Sequence, residues 1–290
     1  MGFPISFSVY VLGGGTLAVL LLLLFASSRL LNSGKGDGKK KKRRLKTAVV
    51  VGASRGLGAD LSRSLLALGV EKLVTVARTG DVDVCCDVTT KEGQETVIKK
   101  AQEETGGLVD VFVVCAARTC RKPARELTFN EIGETLTTNL VAPFQLAVRV
   151  FQTFPEAHVF FVDGAGSRGN ATPRSSPYGA SKAALPQLVK SLSSEGHRAH
   201  CISPGMFTSS LLLDGHEAKH RRVFNILCET PKTVGEWVAR NVKEEVERDS
   251  RGTYRKFLTP LSVLWRFVKS AVVSPKNRLV DEQTGKVVYC

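Results

Sequence analysis

The stretch KTAVVVGASRGLGADLSRSLLALG, residues 46–69, constrains the fold of this chain more than any other. A β-branched run leads into Gly52, Gly56 and Gly58, and apolar residues at helical spacing follow, so it reads as strand, glycine turn and helix. In G-x-x-x-G-x-G the backbone must turn sharply, approach a ligand closely and open a helix whose N-terminus faces an anion. Glycines alone are weak markers; placed between a strand and a helix they describe a dinucleotide phosphate cradle. Ser54, Arg55 and Leu57 fall inside it as further candidate cofactor contacts.

The pattern repeats downstream. Residues 71–77 (EKLVTVA), 82–88 (VDVCCDV) and 109–116 (VDVFVVCA) read as strands, and 89–105 reads as a helix with Val97, Ile98 and Ala101 on its apolar face. Alternating strands and helices at this spacing require an α/β fold, a Rossmann-type doubly wound parallel sheet. Arg78 follows the second strand where an acidic residue would bind a ribose diol. With Arg55 it favours a 2′-phosphate, hence NADPH as cofactor. Asp87 is a candidate for the adenine amino group, with Val88 and Ala116 at neighbouring strand ends.

In SPYGASKAAL, Tyr178 and Lys182 are four residues apart and share one helix face. An ammonium near a phenol is expected to lower its pKa and make it a proton shuttle. With these motifs in order, residues 46–210 resemble the short-chain dehydrogenase/reductase family. The resemblance implies that Tyr178 is the general acid, Lys182 binds the nicotinamide ribose, and Asn139 in TTNLVAPF serves a proton relay. It also implies that 203–208 (SPGMFT), with Pro204, Gly205 and Thr208, holds the carboxamide. More narrowly, FVDGAGSRGNATPRSSPYGASK, SPGMFTSSLLLDG, VFNILCETPKTVGEWV and YRKFLTP resemble the chlorophyll(ide) b reductase branch. That resemblance implies reduction of a formyl group on a macrocycle with NADPH.

The chain departs from the family pattern in three places. Val51 stands before the first glycine where threonine is usual, and Val114, Cys115, Ala116 and Ala117 replace N-N-A-G. The usual serine position before Tyr178 falls on Gly164 or Ala165. The nearest suitable hydroxyl is Ser167, taken here as the serine that orients the carbonyl. Asp163, at a strand end, is expected to fix the loop as a hydrogen-bond acceptor.

The net charge of +14 is concentrated: residues 29–46 hold nine Lys or Arg against one Asp, with no aromatic interleaving, which argues against nucleic acid as a partner. Before that run, residues 9–26 (VYVLGGGTLAVLLLLLFA) carry no charge and with 5–8 are long enough to span a bilayer. The expected organisation is a membrane anchor at 1–31, a basic Gly/Lys-rich linker at 32–45, and a single reductase domain at 46–290 with a C-terminal extension at 211–290. KKKKRR then places the domain on the cytosolic or equivalent face, of the endoplasmic reticulum or a plastid membrane. Seven cysteines form no paired framework and no metal spacing; Cys85, Cys86, Cys115 and Cys201 read as small buried hydrophobes.

Residues 257–273 (FLTPLSVLWRFVKSAVV) read as a helix that docks on a bilayer, closes over a substrate, or packs on the sheet. An anchored enzyme with an apolar flap points to a lipophilic carbonyl substrate, and homo-oligomerisation is compatible with it. Three functions are open at this level: reduction of a formyl tetrapyrrole, reduction of a 3-ketosphinganine, sterol or retinoid carbonyl, and a non-catalytic NADPH-binding scaffold.

Overall fold

The computed structural model describes residues 43–213 and 220–288. The expected N-terminal anchor and most of the linker lie outside the described residues. Among the described residues no helix is long and apolar enough to cross a membrane.

The strands are β1 (Thr47–Val51), β2 (Lys72–Ala77), β3 (Val84–Cys85), β4 (Val111–Val114), β5 (His158–Val162), β6 (Ala199–Ser203) and β7 (Tyr254–Lys256). They form one sheet in the order β3-β2-β1-β4-β5-β6-β7, every pairing parallel. Between them run α1 (Gly56–Ala67), α2 (Lys91–Thr105), α3 (Phe129–Leu136), α4 (Ala142–Thr153), α5 (Ser176–Ser194), α6 (Arg221–Leu227) and α7 (Pro231–Glu247), and α8 (Pro260–Val272) follows β7.

Alternation along each strand builds two cores. Val49, Val51, Phe112, Val114 and Phe161 face α2, α4 and α5 on one side. Val50, Val111, Val113, Phe160 and Ile202 face α1 and α7 on the other. Burial on both faces explains why the strands read as continuous apolar runs.

The third strand is much shorter than its sequence run. Asp83 Oδ2 accepts from Thr75 N at 2.8 Å and Thr75 Oγ1 at 2.6 Å, so a side chain takes over pairing that the backbone would supply. Cys85, on this edge strand, is exposed, and Cys86 and Cys115 are only partly covered; of the four cysteines expected to be buried, Cys201 is. Residues 109–110 and 115–116 likewise fall outside β4, although Cys115 N and Ala116 N still donate to Val51 O.

Where β5 and β6 pair, His158 Nδ1 lies 2.9 Å from His200 Nε2, and His200 Nδ1 lies 2.8 Å from Thr253 Oγ1. Burial pushes both imidazoles below their usual pKa, which keeps them neutral and hydrogen-bonded within the core.

The first turn of α1 is tightly packed. A Cβ on Gly58 would stand 2.0 Å from Gly52 O, with rigid backbone on both sides. Gly58→Ala is therefore expected to lower the melting temperature by roughly 10 °C, read by circular dichroism, since a clash of this kind costs several kcal/mol. An unchanged melting temperature would mean that the turn packs more loosely than described.

Candidate active site

β1 lies between β2 and β4, the point at which strand order reverses and where this architecture leaves a crevice at the strand ends. The turn after β1 is tied there: Gly52 N donates to Val76 O at 2.7 Å and Ala53 N to the same oxygen at 3.1 Å. Gly52 has φ +86°, and a Cβ on it would stand 2.6 Å from Ala116 N. Both the turn and the close approach require glycine.

Arg55 precedes α1 in extended backbone, no side chain caps the helix, and no acidic residue occupies its first turn. Gly56, at φ +58°, has nothing within 4 Å of where a Cβ would stand. Open N–H groups at an uncapped N-terminus beside bare glycine backbone fit the phosphates of a dinucleotide.

Ser54 and Arg55 are exposed at this mouth, whereas the Leu57 side chain is buried in the core, so that residue offers the cofactor only backbone. Arg78 is exposed just past β2, with Nη1 3.8 Å from Asp87 Oδ2. Asp87 Oδ1 accepts from Thr89 N at 2.9 Å and Thr89 Oγ1 at 2.7 Å. Val88 packs against the core beside it.

Tyr178 and Lys182 lie on α5, against the ends of β5 and β6. Lys182 is 3% exposed; its Nζ donates to Val162 O at 2.8 Å and lies 5.7 Å from the centre of the Tyr178 ring. Burial brings the lysine down to about 8. The expected lowering of the phenol does not occur in this state. Burial and the neighbouring Asp163 charge push Tyr178 up to about 12, while the ammonium is engaged by a carbonyl.

Asn139 sits in a π turn, Thr137–Val141, between α3 and α4, and is 1% exposed. The extra residue in that turn directs it inward. Oδ1 accepts from Arg118 N and Nδ2 donates to Arg118 O, both at 2.8 Å; Nδ2 also donates to Ser181 Oγ at 3.1 Å. Asn139 thereby ties the loop after β4 to α5, alongside the Tyr–Lys pair.

Ser167 is not placed at the Tyr178 hydroxyl by any described contact; its Oγ lies 3.3 Å from Tyr254 Oη. The residue at the phenol is Gly164, whose Cβ would stand 2.1 Å from Tyr178 Oη. Tyr254 Oη in turn donates to Asp163 Oδ2 at 2.5 Å, which bears out the acceptor role of Asp163. Tyr254 opens the YRKFLTP segment, but nothing in that segment points to the active site. It is an aromatic in a three-residue strand, 91 positions from Asp163, and only the order β5-β6-β7 brings the two together.

The loop after β6 turns at Gly205, φ +70°, beside the buried Pro204. Thr208 N donates to Glu229 O at 3.0 Å, fixing the loop to the segment before α7. Arg121 Nη2 donates to Leu211 O at 2.6 Å, so the loop after β4 holds the segment after β6. An open cleft of about 450 Å³ runs along the Ser176, Gly179, Ala180 and Ala183 face of α5, lined also by Gly166, Asn170, Thr172 and Arg174; neither Tyr178 nor Lys182 lines it.

Of the three placements considered for α8, packing on the sheet is the one the structure excludes. None of its residues is buried, and Leu261, Leu264 and Trp265 are 76%, 60% and 67% exposed. Arg266 anchors it through Leu227 O at 3.1 Å and Glu229 at 2.8 Å.

A glycine cradle at the switch point of a parallel sheet, with a half-buried tyrosine and a buried lysine on one helix face across the crevice, defines an oxidoreductase that uses a nicotinamide dinucleotide. The family model for short chain dehydrogenase matches residues 46–219, and the chain belongs to that family. It is similar to "Probable chlorophyll(ide) b reductase NYC1, chloroplastic" of Oryza sativa subsp. japonica, at 29% identity over 84% of this chain and 55% of that protein. It is also similar to "Chlorophyll(ide) b reductase NOL, chloroplastic" of the same plant, at 29% identity over 81% of this chain and 78% of that one. The chain thus spans about half the length of the first of these relatives. Among solved structures, the KRED1-Pglu enzyme covers 72% of this chain and 99% of its own at 25% identity, with a TM-score of 0.62.

Lys182 also makes a stability prediction. Its pKa is lowered on folding, so the unfolded chain binds the proton more tightly between about 8 and the ordinary lysine value, and stability rises with pH across that window. Lys182→Met, without a buried charge, is expected to be more stable than the wild type at pH 7 by about 1–2 kcal/mol. The gap should close as pH passes from about 8 to about 10.5. Denaturant titrations at three pH values check this; a variant less stable at every pH would contradict it.

Proposed function

We propose that this chain is a membrane-anchored, NADPH-dependent reductase of a lipophilic formyl compound, similar in reaction to the chlorophyll(ide) b reductases. The observation that carries the reading is the Tyr178–Lys182 pair on one face of α5, its lysine buried against the end of β5, in a chain whose likeness to those reductases covers 81–84% of its length. Gly52, Gly56, Gly58, Ser54 and Arg55 hold the dinucleotide phosphates at the α1 N-terminus. Arg78 and Arg55 supply the charge that suits a 2′-phosphate, which is what supports NADPH over NADH. Asp87 and Val88 border the adenine side; Ala116, Pro204, Gly205 and Thr208 border the nicotinamide side.

The bound cofactor supplies a hydride to the carbonyl carbon. Tyr178 Oη donates its proton to the carbonyl oxygen as charge develops there, and its raised pKa keeps it protonated until then. Lys182 binds the ribose and, once drawn from Val162 O, stabilises the phenolate. Asn139 holds the loop that carries Arg118 and Arg121, keeps α5 in register, and borders the path by which the phenol is reprotonated.

The uncharged segment at 9–26 and the basic run after it support an anchor with the catalytic domain on the cytosolic or stromal side. The chloroplastic relatives support a plastid membrane. The exposed apolar side of α8 suits a substrate delivered from lipid.

Purified full chain is expected to oxidise NADPH, followed at 340 nm, with chlorophyll b as acceptor and a product heavier by two hydrogens. Turnover of 3-ketosphinganine or a retinaldehyde instead would replace the macrocycle by a lipid substrate. No turnover of any of them would overturn the reading. Arg78→Asp is expected to lower kcat/KM for NADPH by about tenfold or more, the loss of one charge-assisted phosphate contact, with little change for NADH. Equal loss with both cofactors would show that Arg78 does not read the phosphate.

A further inference from the structure

A carbonyl oxygen gaining charge needs a group that keeps its proton donor in place and protonated. At the point nearest Tyr178 Oη the chain offers no side chain, because Gly164 lies there with room for none. The residue before it is a carboxylate, Asp163, 3% exposed. Burying such a group is costly unless it is held and used.

Asp163 is held from the C-terminal extension. Tyr254 Oη donates to Oδ2 and also meets Ser167 Oγ at 3.3 Å, so β7, the end of β5 and the loop after it share one hydroxyl chain. Oδ1 is buried and has no hydrogen-bond partner of good geometry among the described residues. The charged and titratable groups around the carboxyl are Lys182 and Tyr178 from α5, Cys201 from β6, and Tyr254 from β7. Arg121 acts on Tyr178 from the loop after β4, and Lys256 lies 4.6 Å from the centre of the Tyr254 ring.

We propose that Asp163, held by Tyr254 and Ser167, is the positioning residue for Tyr178, keeping the phenol a proton donor in place of the hydroxyl that Gly164 cannot provide. The inference rests on Tyr178 being the proton donor, but not on the identity of the substrate. Burial first, and the carboxylate beside the phenol second, disfavour phenolate, while Arg121 opposes them. The carboxylate also favours the charged form of the neighbouring ammonium. Both effects suit carbonyl reduction, in which the phenol must start protonated. The extension after β6 thereby acts on the active site through Tyr254.

The test is an ultraviolet titration of tyrosine ionisation on the full chain in detergent, with Tyr178→Phe identifying the Tyr178 step. In Asp163→Asn, which keeps shape but loses charge, that midpoint is expected to fall by about one unit, with the NADPH Kd unchanged within about twofold. Tyr254→Phe is expected to move it the same way by less, because the carboxylate is released from its tie, and to lower kcat about tenfold with chlorophyll b while KM for NADPH stays constant. If Asp163→Asn does not fold, Tyr254→Phe carries the test. A Tyr178 midpoint that stays put in a folded variant overturns the proposal. Absence of chlorophyll b turnover by the wild type would instead remove the substrate reading, with the titration still deciding the role of Asp163.

Discussion

The hydrogen bond from the buried Lys182 ammonium to Val162 O is the interaction on which the rest of the site depends. It places a cation between the end of β5 and α5, where burial brings it down to about 8. Such a charge survives only if its surroundings are rigid and polar at a few points. Phe161 and Leu185 pack around it, Asn139 pins the adjoining loop, and Asp163 supplies a compensating carboxyl. Each of these supports exists because parallel strands end at one level and one helix runs across them.

The same arrangement explains how the two halves of the chain divide the work. The first half ends its strands in an uncapped helix N-terminus and bare glycine backbone, a surface suited to phosphate rather than to chemistry. The second half gathers at its strand ends ionisable groups whose pKa values are moved by burial: Lys182 downward and Tyr178 upward, both from α5, and Asp163 upward, just past β5. Opposed shifts of neighbouring groups are the mark of a site built for proton transfer rather than for stability. β7 is a third contributor, adding Tyr254 from the far edge of the sheet.

The order of strands and helices was legible in the sequence because local periodicity and the glycine turn determine it. So was the Tyr–Lys pair, on one helix face; Asn139 in TTNLVAPF was legible only through the family resemblance. What was not legible depends on side chains replacing backbone or on distant strands meeting. Asp83 shortens β3 by hydrogen-bonding Thr75, and no periodicity reports that. Proximity along the chain points to Ser167, yet the fold turns it toward Tyr254 and leaves Gly164 at the phenol. The pKa of Tyr178 runs against the sequence expectation because spacing shows a nearby lysine but shows neither its burial nor its engagement with Val162.

The most direct measurement of the central claim is label transfer. NADPH carrying deuterium at the transferable C4 position is incubated with chlorophyll b and either wild-type chain or Tyr178→Phe, with cofactor binding followed by fluorescence and the product by mass. The account predicts deuterium in the hydroxymethyl product of the wild type and a loss of about three orders of magnitude or more in rate in the variant, at equal NADPH affinity. Transfer at the wild-type rate by Tyr178→Phe would contradict it.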